Sequence, residues 1–360
     1  MVLQHKCPNC GADMNFNAET GMLSCESCGT EKDIASMPSL SPDDIDENYG
    51  DYEEFQEDTT YNTFDENDTS KEYVCQNCGA ALITTEDTAA TTCSFCGSPM
   101  ILGDRLSGKL APAKVIPFKI TKEQATEAFK KWCKKGLITP KGFMNADRIK
   151  SITGIYVPFW LFDINAQGDA SATCTKVRSY TRGDYRYTET SYYDVYRKVD
   201  VNYIKIPADA SEKMDDKLMD KLEPFHYNDL VDFNTPYLSG YIAEKYNYTD
   251  HDLFARVKKR ADEYTDSYIR NTIHGYSSVN IRHKDINTRQ RNADYVLFPV
   301  WTVCYDYENA EHSFAMNGQT GKIVGKPPIS KMKVVLWFLL FFAITFGITE
   351  LINIFIGGSF

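Results

Sequence analysis

Positive charge is in short supply in this chain: 39 Lys and Arg stand against 50 Asp and Glu in 360 residues, a net of −11. Binding of nucleic acid through global charge is thereby excluded. The deficit is local, because Ser41 to Tyr73 holds thirteen acidic residues and a single lysine, Lys71, while the remainder is close to neutral. Histidine is scarce too, at six, and His226, His251, His274 and His283 fall at no ligand spacing. The phosphate-cradling G-x4-G-K-[ST], the nucleophile elbow G-x-S-x-G and the zincin H-E-x-x-H are all missing. Gly318 to Lys322 has the wrong spacing for a phosphate loop and reads as a hairpin turn between strands at 311–316 and 322–325. These gaps point away from an enzyme. An apolar leader is lacking as well: Met1 to Cys10 is polar and cysteine-bearing, so no signal peptide is expected. Aromatic residues are plentiful at 13%, which excludes disorder throughout.

Eight of the 11 cysteines form two quartets, Cys7, Cys10, Cys25 and Cys28, then Cys75, Cys78, Cys93 and Cys96. Both read C-x2-C-x14-C-x2-C, the second lying 68 residues after the first. A glycine follows every pair (CPNCG, CESCG, CQNCG, CSFCG) and admits the backbone angles of a tight turn that aims two thiolates at one ion. Two such turns on facing hairpins complete a tetrahedral S4 site, so each quartet is read as a structural zinc site with a closed coordination sphere. Iron in a rubredoxin-like centre and a redox dithiol are the alternatives; disulfides would not persist in a reducing cytosol. Modules of about 30 residues bury too little apolar surface to fold unaided and depend on the ion. Two small rubredoxin-like ribbons, 1–33 and 73–103, are therefore expected as interaction modules. Their charge favours protein partners over nucleic acid: 73–103 has no Lys or Arg, and 1–33 has two against five acidic residues. Cys133, Cys174 and Cys304 stand singly and are expected to be core residues.

Residues 34–72 read as an acidic disordered linker in which Tyr49, Tyr52, Phe55, Tyr61 and Phe64 punctuate the charge. It is either a spacer or a segment that docks on a basic groove. Residues 104–330 are long enough for a core. Strand-like runs occur at Lys114 to Ile120, Ile155 to Asp163, Tyr192 to Ile206 and Tyr295 to Tyr307, with helical patterns at 122–135, 210–222 and 250–272. In the first helix Ala125, Ala128, Phe129, Trp132 and Cys133 make an apolar stripe behind a Thr121/Gln124 capping box; Asp209 and Glu212 are expected to cap the second. Lys130, Lys131, Lys134 and Lys135 leave a membrane-interface reading of the first helix open. Ile152-Thr153-Gly154 is echoed 86 residues on by Leu238-Ser239-Gly240, and Tyr156 to Trp160 resembles Tyr295 to Trp301. Strands recurring around helices predict an α+β domain with a mainly antiparallel sheet.

Val334 to Thr349 contains no charge, and the apolar run resumes after Glu350. As a helix, 334–356 would span about 34 Å, enough for a hydrocarbon core of about 30 Å. Lys322, Lys326, Lys331 and Lys333 precede it, so the positive-inside rule places the bulk of the chain in the cytoplasm. A single-pass, tail-anchored protein of the cell membrane is expected. Glu350 within the span either pairs with another membrane helix or snorkels to the interface.

The four cysteine pairs, VIPFKITKEQATEAFKKW, GIYVPFWLFD and FPVWTVCYDYENAEHSFAMNGQTGKIVGKPP together resemble a bacterial family, the TFIIB-type zinc-ribbon membrane proteins found mainly in Firmicutes. The resemblance covers most of the chain. Members often carry the label of a replication-restart helicase (primosomal protein N′), although that helicase's nucleotide site is missing here. What the resemblance implies is a membrane-associated partner of phage-shock-protein-A-like and flotillin-like proteins in envelope-stress complexes. The sequence thus leads to a non-enzymatic adaptor that recruits cytosolic proteins through its ribbons, with the lipid bilayer as its other partner and two structural Zn2+ ions as cofactors. The competing reading is a membrane-tethered nucleic-acid-binding protein of replication or transcription, without helicase activity.

Overall fold

The computed structural model describes residues 2–37, 71–106, 111–134, 136, 138–140, 143, 151–307 and 310–357. The first ribbon carries β1 (Val2–Leu3), β2 (Asn15–Asn17), β3 (Met22–Ser24) and β4 (Glu31–Lys32). The second carries β5 (Lys71–Val74), β6 (Ala81–Thr84), β7 (Thr88–Thr92) and β8 (Pro99–Leu102). Then follow β9 (Lys114–Val115), α1 (Lys122–Lys134), β10 (Ser151–Arg182), β11 (Tyr185–Asp209) and α2 (Asp216–Leu222). The rest is β12 (Val231–Asp232), β13 (Ile242–Glu244), α3 (Asp250–Thr272), β14 (Ser278–Tyr307), β15 (Ala310–Asn317), β16 (Ile323–Gly325) and α4 (Lys331–Gly357). Most of the acidic stretch, 38–70, lies outside the described residues. The boundaries expected for it move inward, since Ile34–Ser36 form a 3-10 turn and Lys71 and Glu72 belong to β5.

β10 organises the main sheet. Its ladder with β14 runs from Ser151↔Cys304 to Thr175↔Ser278. On its other side β13 pairs at Ile155 and Tyr156, and β11 takes over from Phe159↔Asp209 to Arg182↔Tyr185. Among the described residues only β10–β13 and β14–β9 run parallel, so this α+β sheet is mainly antiparallel as expected. The β10–β11 hairpin closes through Gly183-Asp184, with Gly183 at φ +63°, a conformation that a first-position glycine supplies in a two-residue turn. At about 3.3 Å per residue the 32 residues of β10 span roughly 105 Å. Beyond the core they form an arm.

The sequence pattern predicts only parts of these strands, at 155–163, 192–206 and 295–307. Along the arm, alternate β10 residues Ile164, Ala166, Gly168, Ala170, Ala172 and Cys174 are buried. They face α3, which buries Leu253, Val257, Ala261, Thr265 and Ile269. A Cβ on Gly168 would come within 2.8 Å of Ile269 Cδ1, so the glycine lets the helix lie close to the strand. The opposite face is polar: Asn165 donates to Asp200 and Asn202, and Gln167 donates to Asp200. A strand that past Ile164 buries only small residues on one face, and none past Cys174, gives no hydrophobic run to detect.

The core proper sits where Phe118, Tyr156, Tyr241 and Trp301 meet; Phe118 stacks on Tyr241 at 4.2 Å. Tyr156 to Trp160 and Tyr295 to Trp301, alike in sequence, are antiparallel neighbours here, with Trp160 opposite Tyr295 and Tyr156 opposite Pro299. The 86-residue echo has no structural counterpart, because Ile152-Thr153-Gly154 lie in β10 whereas Leu238 ends the 3-10 turn Thr235–Leu238. α1 begins with the expected box: Gln124 N donates to Thr121 Oγ1 and Thr121 N to Gln124 Oε1. Its Ala125, Phe129 and Cys133 are buried. Burial pushes the Cys133 thiol up to about 11, as expected of a core cysteine. α2 is shorter than predicted. Asp215, not Asp209, caps it, accepting from Leu218 N at 2.8 Å. Ala210 N donates to Pro158 O and draws this stretch into the sheet, where Asp209 is buried and meets Arg256 Nη1 at 3.1 Å.

The NGQTGK segment closes the β15–β16 hairpin as expected, with Met316 opposite Ile323. Its side chains do more. Asn317, fully buried, donates to the carbonyls of Leu222 and Pro224, and its own carbonyl accepts from Gln319 N and Thr320 N. Gln319 Nε2 donates to His226 O at 3.0 Å, and Gln319 Oε1 accepts from His226 N at 2.8 Å. Replacement Asn317→Ala is expected to lower stability by about 1–3 kcal/mol by leaving two buried carbonyls short of a donor. Chemical denaturation checks this, and an unchanged midpoint would show that the clamp contributes nothing.

Candidate metal centres

Four short turns build the two centres, and their backbones are alike. Cys7, Cys25, Cys75 and Cys93 each accept a hydrogen bond on the carbonyl from the glycine four residues on, at 2.8–2.9 Å. The N–H of each donates to the residue after that glycine, Ala12, Thr30, Ala80 and Ser98 respectively, at 2.8–2.9 Å. Gly11, Gly29, Gly79 and Gly97 all sit at φ between +72° and +75°, which a residue with a Cβ adopts only at a cost. This local geometry is why a glycine follows every cysteine pair.

All eight sequence-predicted cysteines come together, four and four, with the sulfurs of each group within 4.8 Å of one another. Cys7 and Cys28 sulfurs are 3.5 Å apart, as are those of Cys10 and Cys25; Cys75–Cys96 and Cys78–Cys93 are 3.7 Å apart. A tetrahedron with metal–sulfur bonds of about 2.3 Å has edges of about 3.8 Å, whereas a disulfide needs about 2.05 Å. Each group is therefore arranged to hold one metal ion. In every pair the first cysteine is buried and the second exposed. Two of the four exposed cysteines have a hydroxyl partner: Cys28 Sγ is 3.1 Å from Thr30 Oγ1 and Cys96 Sγ is 3.2 Å from Ser98 Oγ. The Thr30 hydroxyl lowers the Cys28 thiol, and the Ser98 hydroxyl and backbone N–H bring Cys96 down to about 6; against the pull of the Ala12 and Ala80 backbone, hydrogen bonds from neighbouring cysteines push Cys10 and Cys78 up to about 12.

Neither ribbon hangs apart from the body. Phe16 N donates to Ser239 O at 3.0 Å, and the Phe16 ring lies edge-on to Tyr237 at 5.4 Å. Cys7, Met14, Leu23 and Cys25 share one buried cluster with Phe118, Tyr156, Tyr241 and Trp301. The β7–β8 hairpin of the second ribbon joins the main sheet through Ala243↔Ala90, and β1 of the first ribbon pairs with β8 through Val2↔Leu102 and Leu3↔Ile101. Removal of the metal by a chelator is thus expected to speed amide exchange at Phe16 and across 239–241 in step with the knuckle amides. Unchanged exchange there would uncouple the first centre from the body.

The end of the arm, which no sequence motif marks, is rich in exposed tyrosine. Tyr180, Tyr185, Tyr187, Tyr192, Tyr193 and Tyr196 are exposed there, among Lys176, Arg178, Arg182 and Arg186. Lys176 Nζ lies over the rings of Tyr193 and Tyr276 at 5.6 and 5.3 Å, and Tyr180 stacks on Tyr187 at 5.5 Å. The density of tyrosine around Gly183-Asp184 was the available signal. The second ribbon also leaves Val74, Ile83 and Phe95 exposed, Phe95 standing between ligands Cys93 and Cys96.

No protein-family model matches the chain, and no solved structure matches it. The uncharacterized protein YdjG of Bacillus subtilis (strain 168) is 56% identical over 360 residues, all of this chain and all of that protein. With an alignment that spans both proteins from end to end, the chain belongs to the family of YdjG.

Proposed function

We propose that the chain is a tail-anchored, single-pass adaptor of the bacterial cell membrane, with its α+β body in the cytoplasm and two structural Zn2+ ions in its ribbons. The observation that carries this reading is α4. Its window Lys331–Leu351 is long and apolar enough to cross a bilayer, and none of it is buried against the body. A core helix of a soluble protein would be covered. Here Leu336, Phe338, Phe341, Phe342 and Phe346 all face outward, an apolar surface that needs lipid or a partner to cover it. Lys326, Lys331 and Lys333 just before the apolar run support the cytoplasmic side for the body. A reducing cytoplasm also keeps eight thiolates available for metal.

Zinc is favoured because four thiolates in a tetrahedron suit it and leave no open position for a reactant, so the ions hold structure. Recruitment would use the exposed apolar residues of the second ribbon and the tyrosines of the arm, residue types enriched at protein interfaces. The family resemblance suggests phage-shock-protein-A-like or flotillin-like proteins as those recruited, in envelope stress. Truncation after Lys333 is expected to release the protein from membranes washed at high salt, and retention through that wash would overturn the single anchor. Metal analysis is expected to return two zinc ions per chain, one for each cysteine group. The Cys96→Ser variant is expected to lose the second, and a wild-type value well under two would overturn the paired centres.

One observation favours the nucleic-acid reading: among the described residues Lys176, Arg178, Arg182 and Arg186 form no ion pair and lie among exposed tyrosines, a stacking-and-phosphate surface in miniature. It requires salt-sensitive binding of single-stranded DNA or RNA by the full chain, and a flat titration at low salt removes it.

A further inference from the structure

The start of α4 is fixed to the loop that follows α1. Ser330 N donates to Ile138 O at 2.8 Å, and Lys333 Nζ donates to Thr139 O at 2.7 Å. Val334 N donates to Ser330 O at 3.0 Å, so the helix runs on from this contact into the apolar segment. The anchor therefore leaves the body from a defined point and not through a loose tether.

That point sets a depth. With Val334 at the hydrocarbon edge, Ser330 stands four residues outside it, about 6 Å along a helix. The headgroup layer is about 5–8 Å thick on each side of the bilayer. Ile138, bonded to Ser330 through the backbone, must then lie within the headgroups whenever α4 crosses. The residues at this level suit that place. Ile138 is 39% exposed, Ile329 61% and Met332 76%; Lys326 and Lys331, their neighbours in sequence, are exposed, as are Lys130 and Lys131 in the last turns of α1. Lys131 is paired with Glu127 at 2.7 Å, and Lys130 has no ion-pair partner among the described residues. The end of α1, 130–134, and the stretch that enters α4, 326–333, together carry six lysines and no acidic residue.

We infer that the last turns of α1, the 138–139 loop and the start of α4 form a collar that seats on the headgroups of anionic phospholipids, a membrane contact additional to the span. The collar rests on the transmembrane reading of α4. Its apolar tips enter the interface, and its lysines meet the negative surface of the leaflet, each strengthening the contact about fivefold at close range.

The test uses the full chain in nanodiscs of phosphatidylcholine alone and of phosphatidylcholine with phosphatidylglycerol. Amide exchange at 136–139 is expected to be slower in the anionic discs, by about fivefold for each lysine engaged. The variant Lys130→Gln/Lys131→Gln, altered at exposed positions only, is expected to lose most of that difference while keeping its zinc content. Alkaline carbonate extraction of the same protein from membranes separates the two ideas. Retention in the membrane together with equal exchange in both lipids would overturn the collar and leave the anchor standing. Release by carbonate would overturn the transmembrane reading and the collar with it.

Discussion

The hydrogen-bond ladder along β10 is the constraint on which the rest of the structure depends. From Ser151 to Thr175 the strand is paired with β14, and from Ile155 onward its other edge is taken first by β13 and then by β11. Each partner brings something: β13 leads to β7 and so to the second ribbon, β14 leads to β15 and the Asn317 clamp, and β11 makes the arm. A one-residue slip would turn Ala166, Gly168, Ala170 and Ala172 outward and press Asn165, Gln167 and Asp169 against α3. Register is thus held by the alternation of small and polar residues, aided by the core contacts at Tyr156 and Phe159. Two bulges, at Asp163/Ile164 and Ser171/Ala172, bend the ladder without breaking the alternation that faces the helix.

The metal centres extend that order to the N-terminal part of the chain. In each pair the first cysteine points into the apolar interior and the second toward solvent, so a bound ion sits at the boundary of the core and completes it from outside. For the first ribbon the interior concerned is the main one, shared with Phe118 and Trp301. A ribbon of this size cannot bury enough apolar surface by itself. The ion fixes the two knuckles, and the body supplies the apolar partners for Met14, Phe16 and Leu23. The short β1 strand then links the ribbons to one another through β8.

Features with a strong local cause could be read from the sequence. The cysteine pairs with their glycines, the uncharged run of α4, the Thr121/Gln124 box and the helix at 250–272 each follow from neighbouring residues, and the structure places them as expected. Features that depend on distant partners were hidden. Nothing near Ala166 or Ala172 announces a strand, because their burial comes from α3, some ninety residues on. Asp209 carries the pattern of a helix cap, yet a hydrogen bond from Ala210 to Pro158 and the Arg256 side chain hold it at the end of a strand. Docking of the first ribbon against Ser239 and Tyr241 was likewise illegible, since it joins residues more than two hundred positions apart.

The arm poses a physical problem that its composition answers. α3 supports it as far as Cys174, after which two strands continue with both faces in water, an arrangement of marginal stability. Aliphatic residues there would stabilise the hairpin but leave an adhesive edge. Tyrosine stacks across the strands, as Tyr180 does on Tyr187, and keeps its hydroxyl hydrated. Lys176 between Tyr193 and Tyr276 adds a cation–π contact at the point where the helix ends and its cover is lost. Threonine and arginine in the intervening positions favour the extended backbone and keep the surface charged. The same tyrosine and arginine side chains that let this hairpin stand alone in water are those most often used to bind other molecules, so the stability of the arm and its availability for binding arise from one choice of residues.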